Sequence, residues 1–492
     1  MTPARAAAAK NTNIAALRHA LRTSQLPQRT SRQLWTGCPL MANLLDALYA
    51  LALIGVSPWL LWQRWRYGKY RRGWWEKLTG CLPPRPGDQP CLWLHAVSVG
   101  EVLLLRPFLT PFRRQYPHWQ VYLTVGTQSG LEVARRQFRD LISAFAPGDF
   151  TWAVRQAFDH IRPDVLLLTE LELWPNWLAE AKRRGIPVAV INGRISPRSF
   201  RGYRWLGRAF SRYTSAIRLW AVQNETYAQR LRQLRIPPER IVVTGSMKFD
   251  GVATAQCSPQ TRMLAQSFGL SSPDDPHKTE LVWVAGSTQD PEERLVLQVY
   301  GKLLERFPHL RLILVPRHPE RCAELARWME SSGWAVVRRS ALRPGRPFHW
   351  PHSPSPSIPA SKPPILLVDT LGELAYVWEL ADVAFVGGSF GNRGGQNMLE
   401  PAALGVAVIF GPNVWNFQDI AEQLCQQQAA VQVRSPGELE AALAQLLATP
   451  QLRRELGQRA RQFVLAQQGA ARRTLDALQP FFARPTAQLH AA

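Results

Sequence analysis

Acidic residues are scarce in this chain of 492 residues: Asp and Glu number 36 against 59 Lys and Arg, a formal charge of +23 at pH 7. That imbalance does not decide a fold, but it points to an anionic partner such as nucleic acid, a phospholipid surface or a phosphorylated substrate. Cysteine is sparse too. The six thiols (Cys38, Cys81, Cys91, Cys257, Cys322, Cys425) form no C-x-x-C and no paired spacing, which argues against a disulfide scaffold or a zinc site and for reduced, cytosolic thiols. There is no G-x-G-x-x-G and no G-x-x-x-x-G-K-[ST], so dinucleotide oxidoreductases and P-loop enzymes are poorly supported. No D-x-D occurs, and metal-assisted departure of a diphosphate is not suggested. No secretory cleavage site follows the apolar N-terminal run, and no basic helix with interleaved aromatics marks a nucleic-acid binder.

What is present begins with apolar material: 46% hydrophobic residues, ample for packed cores, and a length that suits two or three domains. Residues 1–40 carry Arg5, Lys10, Arg18, Arg22, Arg29 and Arg32 and no acid, and read as a disordered basic extension ahead of a more start-like Met41. Leu44 to Trp62 is nearly continuous apolar sequence, broken by Asp46 and Pro58. At about 1.5 Å per residue this stretch matches a bilayer core, with a buried core helix or an interfacial helix as the competing reading. Arg64, Arg66, Lys69, Arg71, Arg72 and Lys77 follow, a positive-inside signal that puts the body on the cytoplasmic face of the inner membrane. Trp is abundant at 19 residues, several beside Arg near the N-terminus, as at a membrane interface.

The body alternates short apolar runs with amphipathic segments. Six strands are predicted at 91–97, 119–125, 164–170, 187–193, 219–224 and 241–246, and six more at 281–287, 310–316, 335–340, 365–370, 383–389 and 406–412. Apolar runs of this length between helices imply parallel sheets covered on both faces, and two sets imply two doubly wound α/β domains. The expected layout is an anchor at 41–65, an N-terminal domain at 66–250, a Gln/Ser/Pro-rich hinge at 251–278, a C-terminal domain at 279–475 with a Pro/Ser-rich insertion at 344–364, and a tail at 476–492.

In such sheets ligands bind beyond the carboxyl ends of the strands, and those positions are loaded. His95-Ala-Val-Ser98-Val-Gly100-Glu101 follows the first strand: Glu101 could accept a proton from a hydroxyl, while Ser98-x-x-Glu101 is equally a capping box. Glu170 and Glu172 precede Trp174-Pro175; they suit either a polar ligand or the dipole of the next helix. Asn192-Gly-Arg194-Ile-Ser196 offers donors for an anion, and Thr244-Gly-Ser-Met-Lys248-Phe-Asp250 supplies a cation. In the second half Arg317 and Arg321 could hold a phosphate, Gly372 and Glu373 open a helix, and Gly394-Gly395-Gln396-Asn397-Met398-Leu399-Glu400-Pro401 is a Gly-rich loop feeding another. Asn397-x-x-Glu400 is again a legitimate cap.

HAVSVGE (95–101), ELWPN (172–176), NGRISPRS (192–199), TGSMKFD (244–250), GST (286–288), PRHPER (316–321), DTLGEL (369–374), FVGGS (385–389), GGQNMLEP (394–401) and Gly411-Pro412 with Asn416-Phe417 together resemble, in order and over roughly 46–470, the motif series of the Kdo transferases (Kdo is 3-deoxy-D-manno-octulosonic acid). The resemblance implies a GT-B fold, two Rossmann-like domains whose parallel sheets face a cleft, behind an N-terminal anchor helix. It also implies inverting, metal-independent transfer of Kdo from CMP-Kdo to a lipid A precursor, with no cofactor. Carried over by position, Glu101 would be the general base, and Lys248 with Glu170 or Glu172 would support the transition state. Pro316, Arg317, Leu371, Gly372, Glu373, Asn397, Met398, Leu399 and Glu400 would line the CMP site. The chain departs from the pattern at Gln289 and Gln396, where the family usually has His, at Met398 for Pro, Leu171 for Thr and Pro291 for Gly. Alternatives are a same-fold transferase with another nucleotide sugar or lipid acceptor, and a membrane-binding homologue without catalysis.

Overall fold

The computed structural model describes residues 39–67, 72–254, 257–273, 275, 277–342, 347–350 and 362–483. The expectation for the basic extension therefore lies outside the described residues up to position 38. So do Lys69, Arg71, most of the 344–364 insertion and the last residues of the tail. The chain divides into two compact units, one running to Gly251 and resuming at Gln468, the other spanning Val252–Gln467.

The first unit is built on β1 (Cys91–Ala96), β2 (Gln120–Val125), β3 (Ile142–Phe145), β4 (Val165–Thr169), β5 (Val188–Gly193), β6 (Ile217–Val222) and β7 (Ile241–Val243). They form one sheet in the order β3-β2-β1-β4-β5-β6-β7, with every pairing parallel. Because side chains alternate across a strand, Leu92 and Leu94 of β1 enter one apolar cluster while Cys91 and Trp93 enter the opposite one. Both faces are dry, which is why these strands read as unbroken apolar runs.

The second unit repeats the design. β8 (Leu281–Thr288), β9 (Leu310–Pro316), β10 (Val336–Arg338), β11 (Ile365–Leu367), β12 (Val383–Val386), β13 (Ala407–Phe410) and β14 (Val431–Gln432) pair in parallel in the order β10-β11-β9-β8-β12-β13-β14. Each sheet thus has seven strands where six were expected. The additions, β3 and β14, are four and two residues long.

Two boundaries differ from expectation. Within the segment read as a hinge, Pro259–Ser267 is a helix capped by Ser258, whose side chain accepts the Thr261 N–H; its start is fastened to the second unit where Ser258 N–H donates to Glu379 at 3.0 Å. The other difference is the end of the second domain. Helix Ala470–Phe482 leaves the second unit and closes a face of the first sheet, its Leu475, Leu478 and Phe482 joining the cluster of Leu92, Phe108 and Phe112. The Phe482 ring lies 5.0 Å from Phe112 and 5.1 Å from Trp119. Asp250 fixes the start of this helix by accepting N–H groups of Gly469 and Ala471 at 2.5 and 2.6 Å.

Helix Pro39–Tyr67 covers the stretch read as an anchor, and Leu44–Arg66 has a mean hydropathy of 1.8, long and apolar enough to cross a membrane by length and composition. Leu44, Leu51, Ile54, Trp59, Leu61 and Trp65 on this helix are all exposed. Asp46, the charge that interrupts the run, is buried and accepts the Thr151 N–H at 2.9 Å. Tyr49 donates to Asp149 at 3.0 Å, and Asp149 in turn accepts the N–H groups of Asn176 and Trp177 at 2.9 and 3.2 Å. The polar interruption is therefore the helix's attachment to the first unit. Burial pushes the Asp149 carboxyl up to about 7 in spite of these donors.

Because Phe482 is a core ring and not part of a tail, Phe482→Ala should cost the first unit about 3–5 kcal/mol. Urea unfolding should show its transition moved to lower denaturant; an unchanged midpoint contradicts this placement.

Candidate functional site

In both sheets the strand order reverses direction beside the first strand. The switch point lies between β1 and β4 in the first unit, and between β8 and β12 in the second. Loops that diverge there leave the crevice in which doubly wound folds bind ligands.

On the first unit that point is occupied by carboxylates. Helix Val99–Leu104 begins after β1 with Ser98 as its cap. Glu101 accepts the Val97 N–H at 2.9 Å, the Ser98 hydroxyl at 2.9 Å and the Thr169 hydroxyl at 2.6 Å. Capping and chemical readings are thus compatible: three donors occupy three of the about four acceptor positions of a carboxylate. The Thr169 contact joins the end of β4 to that of β1, a link across 68 residues that the sequence did not disclose.

Glu170 sits at φ 55°, a left-handed conformation that costs a non-glycine residue on the order of 1–2 kcal/mol. Its pKa is raised by burial, with the Lys248 charge working to lower it, Glu101 to raise it and Arg194 to lower it. Glu172 is pushed up to about 7 by burial and then by the negative charge of Glu101. These effects place Glu101, Glu170, Glu172, Lys248 and Arg194 within one electrostatic neighbourhood. Beneath them His95 is fully buried, 3.1 Å from the Thr124 hydroxyl, and burial pulls its pKa down to about 4. It is a neutral core imidazole at neutral pH. Asn192 is buried as well, its Oδ1 accepting the Met247 N–H at 3.0 Å; its part is to fix the turn that carries Lys248.

On the second unit the switch-point loops are held by a residue the sequence did not single out. Glu292, only 1% exposed, accepts N–H groups from Gln289 at 3.0 Å, Gly388 at 2.6 Å, Ser389 at 2.8 Å and Phe390 at 2.9 Å. One carboxylate thereby clamps the glycine loop after β12 to the loop after β8. A Cβ on Gly387 would fall 2.6 Å from the Thr288 backbone, so this close approach requires glycine. Gln289 and Gln396 both flank Gly388, whose absent Cβ would lie 3.1 Å from the Gln396 amide and 3.4 Å from that of Gln289.

The expected nucleotide-site residues fall into three groups. Arg317 is exposed at the end of β9, and its charge opposes the rise in the Glu400 pKa that burial causes. Asn397 donates to Glu400 at 3.0 Å and accepts the Leu399 N–H at 3.2 Å, as a cap would. Met398 and Leu399 are core side chains, 0% and 1% exposed, and Pro316 is buried, so these three have only backbone to offer a ligand. Leu371 is 77% exposed and Gly372 takes φ 87° beside it. Glu373 is already forked to Arg339, with contacts of 3.0 and 3.1 Å. Arg338, paired with Asp369 at 2.7 Å, is the last residue of the three-residue β10 and Arg339 the next; both fall inside the expected strand 335–340, so the sequence does not mark them as loop residues of a site. Asp250 and Ser196, both from quoted motifs, serve as helix caps.

Two Rossmann-like units with seven-stranded parallel sheets, each loaded at its switch point, define a GT-B glycosyltransferase. Residues 68–251 match the family model described as 3-deoxy-D-manno-octulosonic-acid transferase (kdotransferase), and residues 389–479 match one described as glycosyl transferase-like. The chain is 34% identical to a 3-deoxy-D-manno-octulosonic acid transferase of Bordetella pertussis, covering 88% of this chain and 98% of the relative. It is 30% identical to that of Haemophilus influenzae over 85% and 91% of the two chains. A glycosyltransferase from Rickettsia africae shares the fold at a TM-score of 0.51 and 10% identity, covering 81% of this chain and all of the other. The chain belongs to the Kdo transferase family.

The Glu172 carboxyl predicts a pH signature. A carboxyl raised in the folded state stabilises below its unfolded pKa and loses that contribution as pH rises through its folded value near 7. Glu172→Gln, which cannot ionise, should melt progressively higher than the unsubstituted protein as pH goes from about 5 to about 8. A constant difference in Tm across that range contradicts the raised pKa.

Proposed function

We propose that this enzyme transfers Kdo from CMP-Kdo to a hydroxyl of a lipid A precursor, with inversion, at the cytoplasmic face of the inner membrane. The observation that carries the reading is the carboxylate group at the first switch point, where Glu101 is oriented by three donors beside Lys248 and two further acids. Family membership supplies the sugar, since the Bordetella pertussis and Haemophilus influenzae relatives are Kdo transferases.

In this reading Glu101 removes the proton of the acceptor hydroxyl as its oxygen forms a bond to the anomeric carbon. The bond from that carbon to the phosphate oxygen of CMP breaks on the opposite face, and CMP leaves with the electron pair. A CMP leaving group has a single phosphate. Cationic side chains and backbone N–H groups suffice to stabilise it, and the absent D-x-D agrees with a step that needs no metal. In this reading Arg317 is the cation that meets that phosphate; its charge acts on Glu400, to which Asn397 donates. Lys248 balances the negative charge that three acids would otherwise concentrate at a sugar that is itself acidic. Helix Pro39–Tyr67 keeps the enzyme at the bilayer that holds the acceptor.

Glu101→Gln tests the base directly, because Gln preserves the capping geometry and removes only the proton acceptor. Transfer should fall by about 10²–10⁴ while CMP binding stays within about twofold. Turnover above about a tenth of the original leaves Glu101 as a cap alone.

Arg317→Ala should weaken donor binding by about 1.5–3 kcal/mol, the worth of a hydrogen bond to a charged group, with little change for the acceptor. Calorimetric titration with CMP reads the first quantity and the acceptor KM the second. Equal losses for both move the phosphate elsewhere.

A further inference from the structure

Beyond the end of β5, helices Pro197–Leu206 and Arg208–Tyr213 carry Arg198, Arg201, Arg204, Arg208 and Arg212 and no Asp or Glu, a basic segment interleaved with aromatics where the sequence reading expects none. The first four arginines are exposed. Between them Trp205 is 88% exposed, and Leu206 beside it 41%. The inner face of the same segment is fixed by the fold. Phe210 is fully buried, Tyr203 packs on it at 4.7 Å between ring centroids, and the Tyr213 hydroxyl donates to the Leu173 carbonyl at 2.8 Å. An indole exposed on an ordered helix, flanked in the sequence by arginines, matches the headgroup zone of an anionic bilayer, where an amphipathic ring and a cation both lie.

Position strengthens the match. Parallel strands put the ends of β1, β4 and β5 on one edge of the sheet, so this segment emerges where Glu101, Glu170 and Glu172 sit. Leu173, which holds Tyr213, is the next residue after Glu172. The apolar helix docks on this edge too, through Asp46 to the start of helix Thr151–Ile161. We propose that Arg198–Arg208, with Trp205, is a second membrane contact that takes anionic phospholipid headgroups and turns the carboxylate edge of the first unit toward the bilayer. The inference rests on the reading of a bilayer-bound acceptor and deepens it: the apolar helix retains the enzyme at the membrane, and this patch sets its orientation.

The test is hydroxyl-radical oxidation of the full chain, read by mass spectrometry at Trp205. The chain is compared in neutral detergent micelles, in phosphatidylcholine nanodiscs and in nanodiscs containing phosphatidylglycerol. Each arginine at an anionic surface raises partition about fivefold, so Trp205 oxidation should fall at least about fivefold in the anionic discs, relative to both neutral environments. Trp415, 48% exposed on the second unit, serves as an internal reference for radical dose. Replacing Arg198, Arg201, Arg204 and Arg208 together with Gln should restore oxidation in anionic discs without lowering the melting temperature. Equal oxidation of Trp205 in all three environments overturns the proposal, as does equal protection in neutral and anionic discs. Oxidation is read without any sugar donor, so its failure is separable from a failure of the transfer reaction.

Discussion

Carboxylates seated on converging backbone N–H groups are the constraint on which the rest of this structure depends. Glu292 takes four such groups and clamps the switch-point loops of the second unit. Asp250 takes two and fastens the final helix to the first unit. Asp149 and Asp46 receive helix N-termini and dock the apolar helix. Glu101 receives Val97 and two hydroxyls at the centre of the acidic cluster. A buried carboxylate is costly without such donors, and a helix start leaves N–H groups in need of acceptors. Each satisfies the other. In a chain with few acids, many of those present are committed to this exchange.

The same arrangement explains why structural and chemical readings of these motifs do not compete. A base must be oriented before it can act, and the capping geometry of Glu101 supplies that orientation. Glu172 is raised to about 7 by burial and then by the charge of Glu101, so it carries only part of its negative charge at neutral pH. That suits a site proposed to admit an acidic sugar.

Much of the fold was legible because the sheets are buried on both faces: strands such as Val383–Val386 and Ala407–Phe410 stand out as uninterrupted apolar runs. β3 and β14 escaped because they are short and lie at sheet edges, where less apolar sequence is needed. The candidate site residues at strand ends come from topology alone, since Glu101, Glu170, Arg317 and Asn397 follow strands. Their fasteners do not. Glu292 reads as an ordinary helix-start acid, and its partners lie up to 98 residues away. Asp46 reads as a flaw in an anchor until its contact 105 residues on is known. Helix Ala470–Phe482 reads as the end of the second domain, because its amphipathic pattern does not say which sheet it covers.

The reaction itself is the most direct test. Purified full-length enzyme would be incubated with CMP-Kdo and a tetraacyl lipid A precursor in the presence of EDTA, and the lipid analysed by mass spectrometry. The account predicts that the lipid gains the mass of one or more Kdo residues, with one CMP released per residue, as fast with EDTA as without. No gain in mass, a gain only from a different nucleotide sugar, or a gain that EDTA abolishes would contradict it.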